Sequence, residues 1–142
     1  MPVSAAEMKS LVHRLEDAMN ERHLDDLDDI MAEDFVRHCE ATPQVDVRSR
    51  EQFKEFLKAY DAGFPDNVQT FTHIVAEGDM IGVFATYEGT HLGPMGPFAP
   101  TGKTAKFSFA GVFRVEDGKL AELWVTWDNM AVLAQLGLLP DL

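Results

Sequence analysis

Hydrophobic positions in the first half of the chain repeat every three or four residues, which predicts amphipathic helices. Ser4 to Glu7 has the pattern of a capping box, so a first helix is expected from about Ala5 to Asn20. A second capping box at Ser49 to Gln52 opens another helix, which ends near Gly63. Between the two, a short helix is expected to bury Leu24, Leu27, Ile30 and Met31.

The second half of the chain is rich in β-branched and aromatic residues, which predicts strands. Four such segments lie at about 67–77, 80–91, 102–115 and 119–127. Asp117-Gly118 is typical of a two-residue hairpin turn. Helices followed by an antiparallel meander predict an α+β domain. The Gly/Pro-rich tract at 92–100 is expected to be a long loop that covers the mouth of a pocket.

The last predicted strand leads to a carboxylate, Asp128. Because side chains alternate across a sheet, Asp128 is expected to share a face with Leu120, Glu122, Trp124 and Thr126. Burial beside aromatic rings raises the pKa of a carboxyl group and suits it to acid–base catalysis. The alternative is that Asp128 caps a short C-terminal helix. The local sequence leaves both interpretations open.

Composition and charge restrict the partners and the compartment. The chain of 142 residues is expected to form one domain, and its net charge of −12 argues against nucleic acid or an anionic membrane as a partner. A neutral or weakly acidic small organic ligand fits better. A single cysteine, Cys39, excludes an internal disulfide and suits a reducing compartment. With neither a long apolar run nor a signal pattern, the protein is predicted to be cytoplasmic.

Histidines and phenylalanines supply further candidates for a site. His38 ends a brief extended piece at 34–38, and His91 lies where a strand meets the Gly/Pro-rich tract. The histidine spacings match no compact metal motif, so no metal is predicted. Phe107, Phe109 and Phe113 alternate onto one face, which makes them either ordinary core or the lining of a ligand cavity.

Seven short motifs occur in one order along nearly the whole chain, from about residue 7 to residue 138. They are Phe64-Pro65-Asp66, Ala76-Glu77-Gly78-Asp79, Gly89-Thr90-His91-x-Gly93, Pro100-Thr101-Gly102-Lys103, Phe113-Arg114-Val115-x-Asp117-Gly118-Lys119, Trp124-x-x-x-Asp128 and Gln135-Leu136-Gly137. This series resembles the SnoaL-like polyketide cyclase family, within the nuclear-transport-factor-2-like superfamily.

The resemblance implies a cone-shaped, curved antiparallel sheet wrapped by N-terminal helices around a deep apolar pocket. It also implies a homodimer or homotetramer formed through the outer sheet face, which would include Leu123, Val125 and Trp127. The best-known members close a ring of an aromatic polyketide by intramolecular aldol condensation, without cofactor or metal. By position, Asp128 matches the family's acid–base aspartate, and His38 matches a histidine expected to face the pocket.

Other side chains are expected to bind the substrate. Tyr87 would donate a hydrogen bond to a developing oxyanion, and the remaining substrate contacts are predicted to be Met19, His91, Phe107, Phe109, Phe113 and Trp124. Many members carry an arginine at the position of Phe84 and a histidine at that of Leu123, and some cyclases have a histidine at that of Gly111. Without these polar groups, the cavity is expected to be more apolar.

Three functions follow from this resemblance. The leading one is a cofactor-free aldol cyclase acting on an apolar carbonyl compound, with Asp128 and His38 as its acid–base residues. The second is an isomerase or dehydratase acting on a steroid-like or polyketide-like ligand with the same base. The third is a non-catalytic domain that binds a small molecule or dimerises. A shared fold does not choose among them.

Overall fold

The fold is a single five-stranded sheet with helices packed against it, seen in a computed structural model that describes residues 3–139. The strands are β1 Met31–His38, β2 Val68–Glu77, β3 Met80–Thr90, β4 Thr104–Glu116 and β5 Lys119–Trp127. The helices are α1 Ala5–Glu21, α2 Arg50–Gly63 and α3 Asn129–Gln135, with a 3-10 segment at Leu24–Asp29. The α+β architecture predicted from the sequence is confirmed.

The strand order is β1-β5-β4-β3-β2, and the sheet is curved and mixed. β1 runs parallel to β5, whereas every other neighbouring pair is antiparallel. The expectation of a purely antiparallel sheet was therefore wrong at this one edge. α1 packs on β2 and α2 packs on β1, so the two long helices close the concave side of the sheet.

Both long helices begin at the residues that the capping patterns predicted. The Ser4 hydroxyl accepts a hydrogen bond from the Glu7 amide, and the Ser49 hydroxyl accepts one from the Gln52 amide. Each box is half formed: the Gln52 side chain accepts from the Arg48 amide rather than from that of Ser49, and the Glu7 carboxylate accepts from the Ser4 hydroxyl rather than from the Ser4 amide. These caps satisfy amides that would otherwise lack a partner in the first turn.

The short second helix was predicted incorrectly. The segment is a 3-10 helix that ends at Asp29, and Met31 is already the first residue of β1. Aspartate is a weak helix former, and the segment carries four of them, at positions 25, 26, 28 and 29. Leu27, Ile30 and Met31 are still buried, as the hydrophobic pattern required.

A β-bulge decides which side chains of β5 face inward. Arg114 pairs with Glu122, but the next residue of β4, Val115, pairs with Leu120. Ala121 is therefore an extra residue in β5, and it reverses the alternation that follows. Trp124 faces outward as a result, whereas Leu123, Val125 and Trp127 line an internal cavity. The assignment of those three residues to the outer face was wrong.

The turns at the ends of β5 and α3 match the sequence signals. Asp117 and Gly118 both have positive φ, of 52° and 75°, as a tight hairpin between twisted strands requires. Gly137, with φ of 73°, follows the C-terminus of α3. Within residues 3–139, no helix is long and apolar enough to cross a membrane.

Candidate active site

An aromatic cavity lies between the concave face of the sheet and the helices α1 and α2. Its volume is about 100 Å³. Its aromatic walls come from α2 and from four strands: Phe53, Phe56, Tyr60, Phe71, Tyr87, Phe107, Phe109, Phe113 and Trp127. Such a lining favours an apolar ring compound, since it offers a large non-polar surface and few polar groups.

A larger groove of about 460 Å³ adjoins this cavity. Both spaces are lined by Phe56, Tyr60, Tyr87, Phe107 and Trp127, so these rings lie between the cavity and the groove. The outer wall of the groove is formed by part of the Gly/Pro-rich loop, from Pro94 to Phe98. The loop thus borders the groove beside the cavity, and its covering of a pocket mouth stays a prediction.

Tyr60 and Tyr87 line the cavity, and each carries a phenolic hydroxyl group. Burial raises the pKa of Tyr60 to about 12. Burial is also the main cause that raises the pKa of Tyr87, and the nearby Tyr60 and Asp61 raise it further. Both phenols thus keep their protons at neutral pH. The buried Tyr87 hydroxyl has no hydrogen-bond partner among residues 3–139, so its capacity to donate a hydrogen bond is unused.

Asp61, near the end of α2, contributes a carboxylate to the cavity lining. Its side chain is 26% exposed. Its Oδ1 accepts a hydrogen bond of 2.9 Å from the buried Asn67 amide and lies 3.7 Å from the Arg22 guanidinium. Both contacts use Oδ1, so Oδ2 has no partner among the residues that the structure describes. Asn67 and Arg22 thus fix the position of the Asp61 carboxylate through its Oδ1.

Arg37 is a second charged group on the cavity wall, and sequence analysis did not identify it. Its guanidinium carbon lies 4.1 Å from the centre of the Phe56 ring, and it donates a hydrogen bond of 3.0 Å to Thr42 Oγ1. Burial lowers the pKa of Arg37, and Cys39 and Tyr60 partly offset this. A signal was present in the sequence, since strand alternation places Arg37 on the same face as the buried Phe35.

Asp128 lies outside the cavity, contrary to the expectation that it would be shut among aromatic rings. Its side chain is exposed, and Oδ1 accepts hydrogen bonds from the amides of Met130 at 2.9 Å and Ala131 at 3.2 Å. These contacts cap α3, so the alternative interpretation of Asp128 is confirmed. The bulge in β5 is the physical reason, because it puts the side chains of the expected face outside.

His38 also lies on the outside of the sheet, and the prediction that it faces the pocket was wrong. Strand alternation turns Arg37 inward, so its neighbour His38 must point outward. There His38 Nε2 lies 2.6 Å from Glu122 Oε2, and the imidazole stacks on Trp124 with 5.3 Å between ring centres. Trp124 is likewise exposed, so it is not part of the cavity wall. The hydrogen bond from His38 is the main cause that lowers the pKa of Glu122, and Arg114 lowers it further.

The other predicted substrate contacts divide into two groups. Five line the cavity, and their roles in binding stay predictions: Met19, Tyr87, Phe107, Phe109 and Phe113. His91 is fully buried at the base of the Gly/Pro-rich loop, outside the cavity lining. It stacks on Phe64 with ring centres 5.2 Å apart, and its Nδ1 accepts a hydrogen bond from the Thr101 amide. This arrangement ties the two ends of the loop together.

Three positions that depart from the family pattern have different environments. Leu123 and Gly111 line the cavity, so the absence of histidine there makes it more apolar, as expected. Phe84 is 45% exposed on the outer face, so its side chain has no effect on the cavity. Within residues 3–139, no three His, Cys, Asp or Glu side chains form a group that could hold a metal ion.

Solved structures similar to this chain include three proteins from Streptomyces. TsrD from Streptomyces laurentii is 24% identical, with a TM-score of 0.87 over 96% of this chain and 99% of that one. IdmH from Streptomyces antibioticus, a proposed polyketide cyclase, is 31% identical, with a TM-score of 0.80 over 91% and 97%. AclR from Streptomyces galilaeus, a proposed hydroxylase, is 28% identical, with a TM-score of 0.82 over 98% and 86%.

A comparison with curated proteins gave no match. The family model for SnoaL-like polyketide cyclases matches residues 9–136, which confirms the resemblance drawn from the motifs. The match spans every helix and all five strands apart from the first residues of α1. The chain belongs to the SnoaL-like polyketide cyclase family.

Proposed function

We propose that this protein is an acid–base enzyme that closes a ring in an apolar carbonyl compound by intramolecular aldol condensation. One observation carries the proposal: aromatic walls bring together a carboxylate, Asp61, and two phenols that keep their protons, Tyr60 and Tyr87. The likeness to IdmH supports the reaction type, since that protein is itself a proposed polyketide cyclase.

Asp61 is the base in this proposal, in place of Asp128. A general base must come within hydrogen-bond reach of the proton that it removes. Asp61 lines the aromatic cavity, whereas Asp128 is exposed and occupied as a helix cap. Asn67 and Arg22 fix the Asp61 carboxylate, so its free oxygen is oriented before a substrate arrives.

The proposed reaction consists of proton transfers to and from Asp61 and the formation of one carbon–carbon bond. Asp61 removes a proton from a carbon next to a carbonyl, and the Tyr87 hydroxyl donates a hydrogen bond to the resulting enolate oxygen. The enolate carbon then attacks a second carbonyl of the same molecule, which forms the new carbon–carbon bond and an alkoxide. The alkoxide takes the proton back from Asp61. Substrate and adduct are isomers. In the dehydration that follows, Asp61 removes the second proton from the same α-carbon and gives it to the departing hydroxyl, which leaves as water while the carbon–carbon double bond forms.

The aromatic rings would hold the substrate in a folded pose. Tyr87 stacks on Phe107 with ring centres 5.0 Å apart, and Phe107 meets Trp127 at 6.3 Å. A flat ring packed along this wall has its reacting carbons held close together, and such positioning lowers the barrier of an intramolecular step. Acid–base help supplies only about 10²–10⁴-fold, so positioning must supply much of the remainder.

A panel of aromatic diketones incubated with the enzyme in deuterated water tests this proposal. New carbon–carbon bonds, detected by NMR, are the expected result. Deuterium in the substrate's α-position without a new bond would instead support an isomerase or dehydratase that uses the same base. Ligand binding with neither deuterium uptake nor product would contradict an enzymatic role and favour a binding domain.

A further inference from the structure

Arg37 is a buried charge that the proposed proton transfers do not use. Its side chain is on the cavity lining, and the residue is only 8% exposed. Among residues 3–139, no carboxylate oxygen lies within 4 Å of its guanidinium nitrogens. Four other arginines do have such a partner: Arg22, Arg48, Arg50 and Arg114. Arg37 therefore differs from these four in lacking a carboxylate partner among the described residues, and it differs from Arg14, which also lacks one there but is exposed, in being buried.

The neighbours of Arg37 offer contact without a countercharge. Thr42 accepts one hydrogen bond, and Cys39 and Tyr60 lie close enough to influence the guanidinium. Phe56 covers one face of the guanidinium plane, and Trp127 lies 5.7 Å from its carbon. The N–H groups of the guanidinium point outward in its own plane. A strong hydrogen-bond acceptor must therefore approach Arg37 along the edge of that plane.

A buried ion without a partner is costly, so proteins pair buried charges. This chain has 24 acidic residues against 12 lysines and arginines, so acidic side chains were plentiful. None of those that the structure describes is placed at Arg37. We infer that the ligand supplies the missing anion, as a single carboxylate that binds the edge of the Arg37 guanidinium. This inference rests on the proposed function, because it places the anion on the cyclised substrate.

A carboxylate fits this site better than a phosphate or a thioester. The planar guanidinium matches a carboxylate through two parallel hydrogen bonds. A phosphate carries more charge than one arginine balances, and the excess of 12 negative charges on the protein disfavours it further. A thioester or ester has no negative charge to pair with Arg37. The substrate is therefore an aromatic or poly-ketone free acid.

The arrangement also orients the substrate. Arg37 lies beside Phe56 and Trp127, and both rings line the inner cavity as well as the outer groove. A carboxylate held there leaves the rest of the molecule to extend along the aromatic wall toward Tyr87. The acid group thus serves as a fixed end from which the reacting carbonyls are placed.

Calorimetric titration with 2-naphthoate and 2-naphthamide tests the inference, because these probes differ in charge and not in ring shape. Wild-type protein is expected to bind the acid about 10- to 100-fold more tightly than the amide, as a hydrogen bond to a buried charge warrants. Arg37→Met should abolish the preference. Arg48→Met is the matched control, since Arg48 is exposed and far from the cavity lining, and it should keep the preference.

The outcomes separate this inference from the proposed function. Equal affinity for the two probes, binding of neither, or a preference that survives Arg37→Met would overturn the inference. If Arg37→Met does not fold, the wild-type ratio and Arg37→Lys decide, since lysine keeps the charge and should retain part of the preference. A clear preference without any turnover of the diketone panel, with diketones that carry a carboxylate included, would uphold the inference and refute the enzyme. Turnover without the preference would do the reverse.

Discussion

Replacing Asp128 by alanine is expected to destabilise the protein modestly, because the substitution removes the cap of α3. The lost contacts are two hydrogen bonds from the Met130 and Ala131 amides, of 2.9 and 3.2 Å. Losing an aspartate cap to alanine costs about 0.5–2 kcal/mol. Because the site is exposed and water can replace the acceptor, we expect about 1 kcal/mol, or roughly 2–4 °C in Tm for a domain of this size.

The loss of the cap is expected to lower the stability of the whole domain, because α3 packs against the rest of the fold. Val132 and Leu136 are buried in one cluster with Phe64 and Tyr87. Urea unfolding followed by circular dichroism measures the effect in wild type, Asp128→Ala and Asp128→Asn. Asparagine caps helices about as well as aspartate, so Asp128→Asn should recover most of the stability. Wild-type stability in Asp128→Ala, or an equal loss in both variants, would refute the capping role.

Three further outcomes are expected. Tyr87→Phe removes a buried hydroxyl without a described partner, so thermal melting should show no loss of stability while turnover falls; a clear drop in Tm would contradict this. Gly93→Ala places a methyl group 2.0 Å from the Ala62 carbonyl oxygen, so urea unfolding should show that the free energy of unfolding falls by about 1–3 kcal/mol. Wild-type stability in this variant would contradict the tight packing of the loop. Trp124→Glu adds charge to an outer sheet face that also exposes Phe84 and Val112; we expect light scattering to show a dimer in wild type and a monomer in the variant, and monomeric wild type would refute this interface.

Much of the fold could be predicted because its signals are local. Ser4 and Ser49 start helices through contacts within one turn, and Asp117-Gly118 sets its hairpin by backbone conformation alone. The bulge at Ala121 could not be predicted in this way, since it arises from the pairing of β5 with β4. Because Ala121 is an extra residue, the side chains of β5 face the opposite way from the prediction, and Trp124 lies outside the cavity.

The site was predicted less well than the fold, for the same kind of reason. The phenylalanines of β4 were correctly recognised as one face, because alternation holds along that stretch. Arg37 was not identified, because an arginine on a short strand is ordinarily solvent-exposed. Only its alternation with Phe35 indicated that Arg37 is buried. Asp61 lies near the end of a helix, where a charged side chain is ordinarily exposed, and its approach to the cavity depends on how α2 packs across the sheet.

In the proposed mechanism the chemistry takes place in the aromatic cavity, with Asp61 as its base. The most direct test compares Asp61→Asn with Asp128→Asn, two substitutions that each remove one negative charge and change the side chain little. The rate of α-deuterium exchange into an aromatic ketone is measured for both, with Tm as the check of folding. We predict a loss of at least about 100-fold in Asp61→Asn and near wild-type exchange in Asp128→Asn. Exchange that survives in Asp61→Asn and disappears in Asp128→Asn would contradict the assignment of Asp61 as the base.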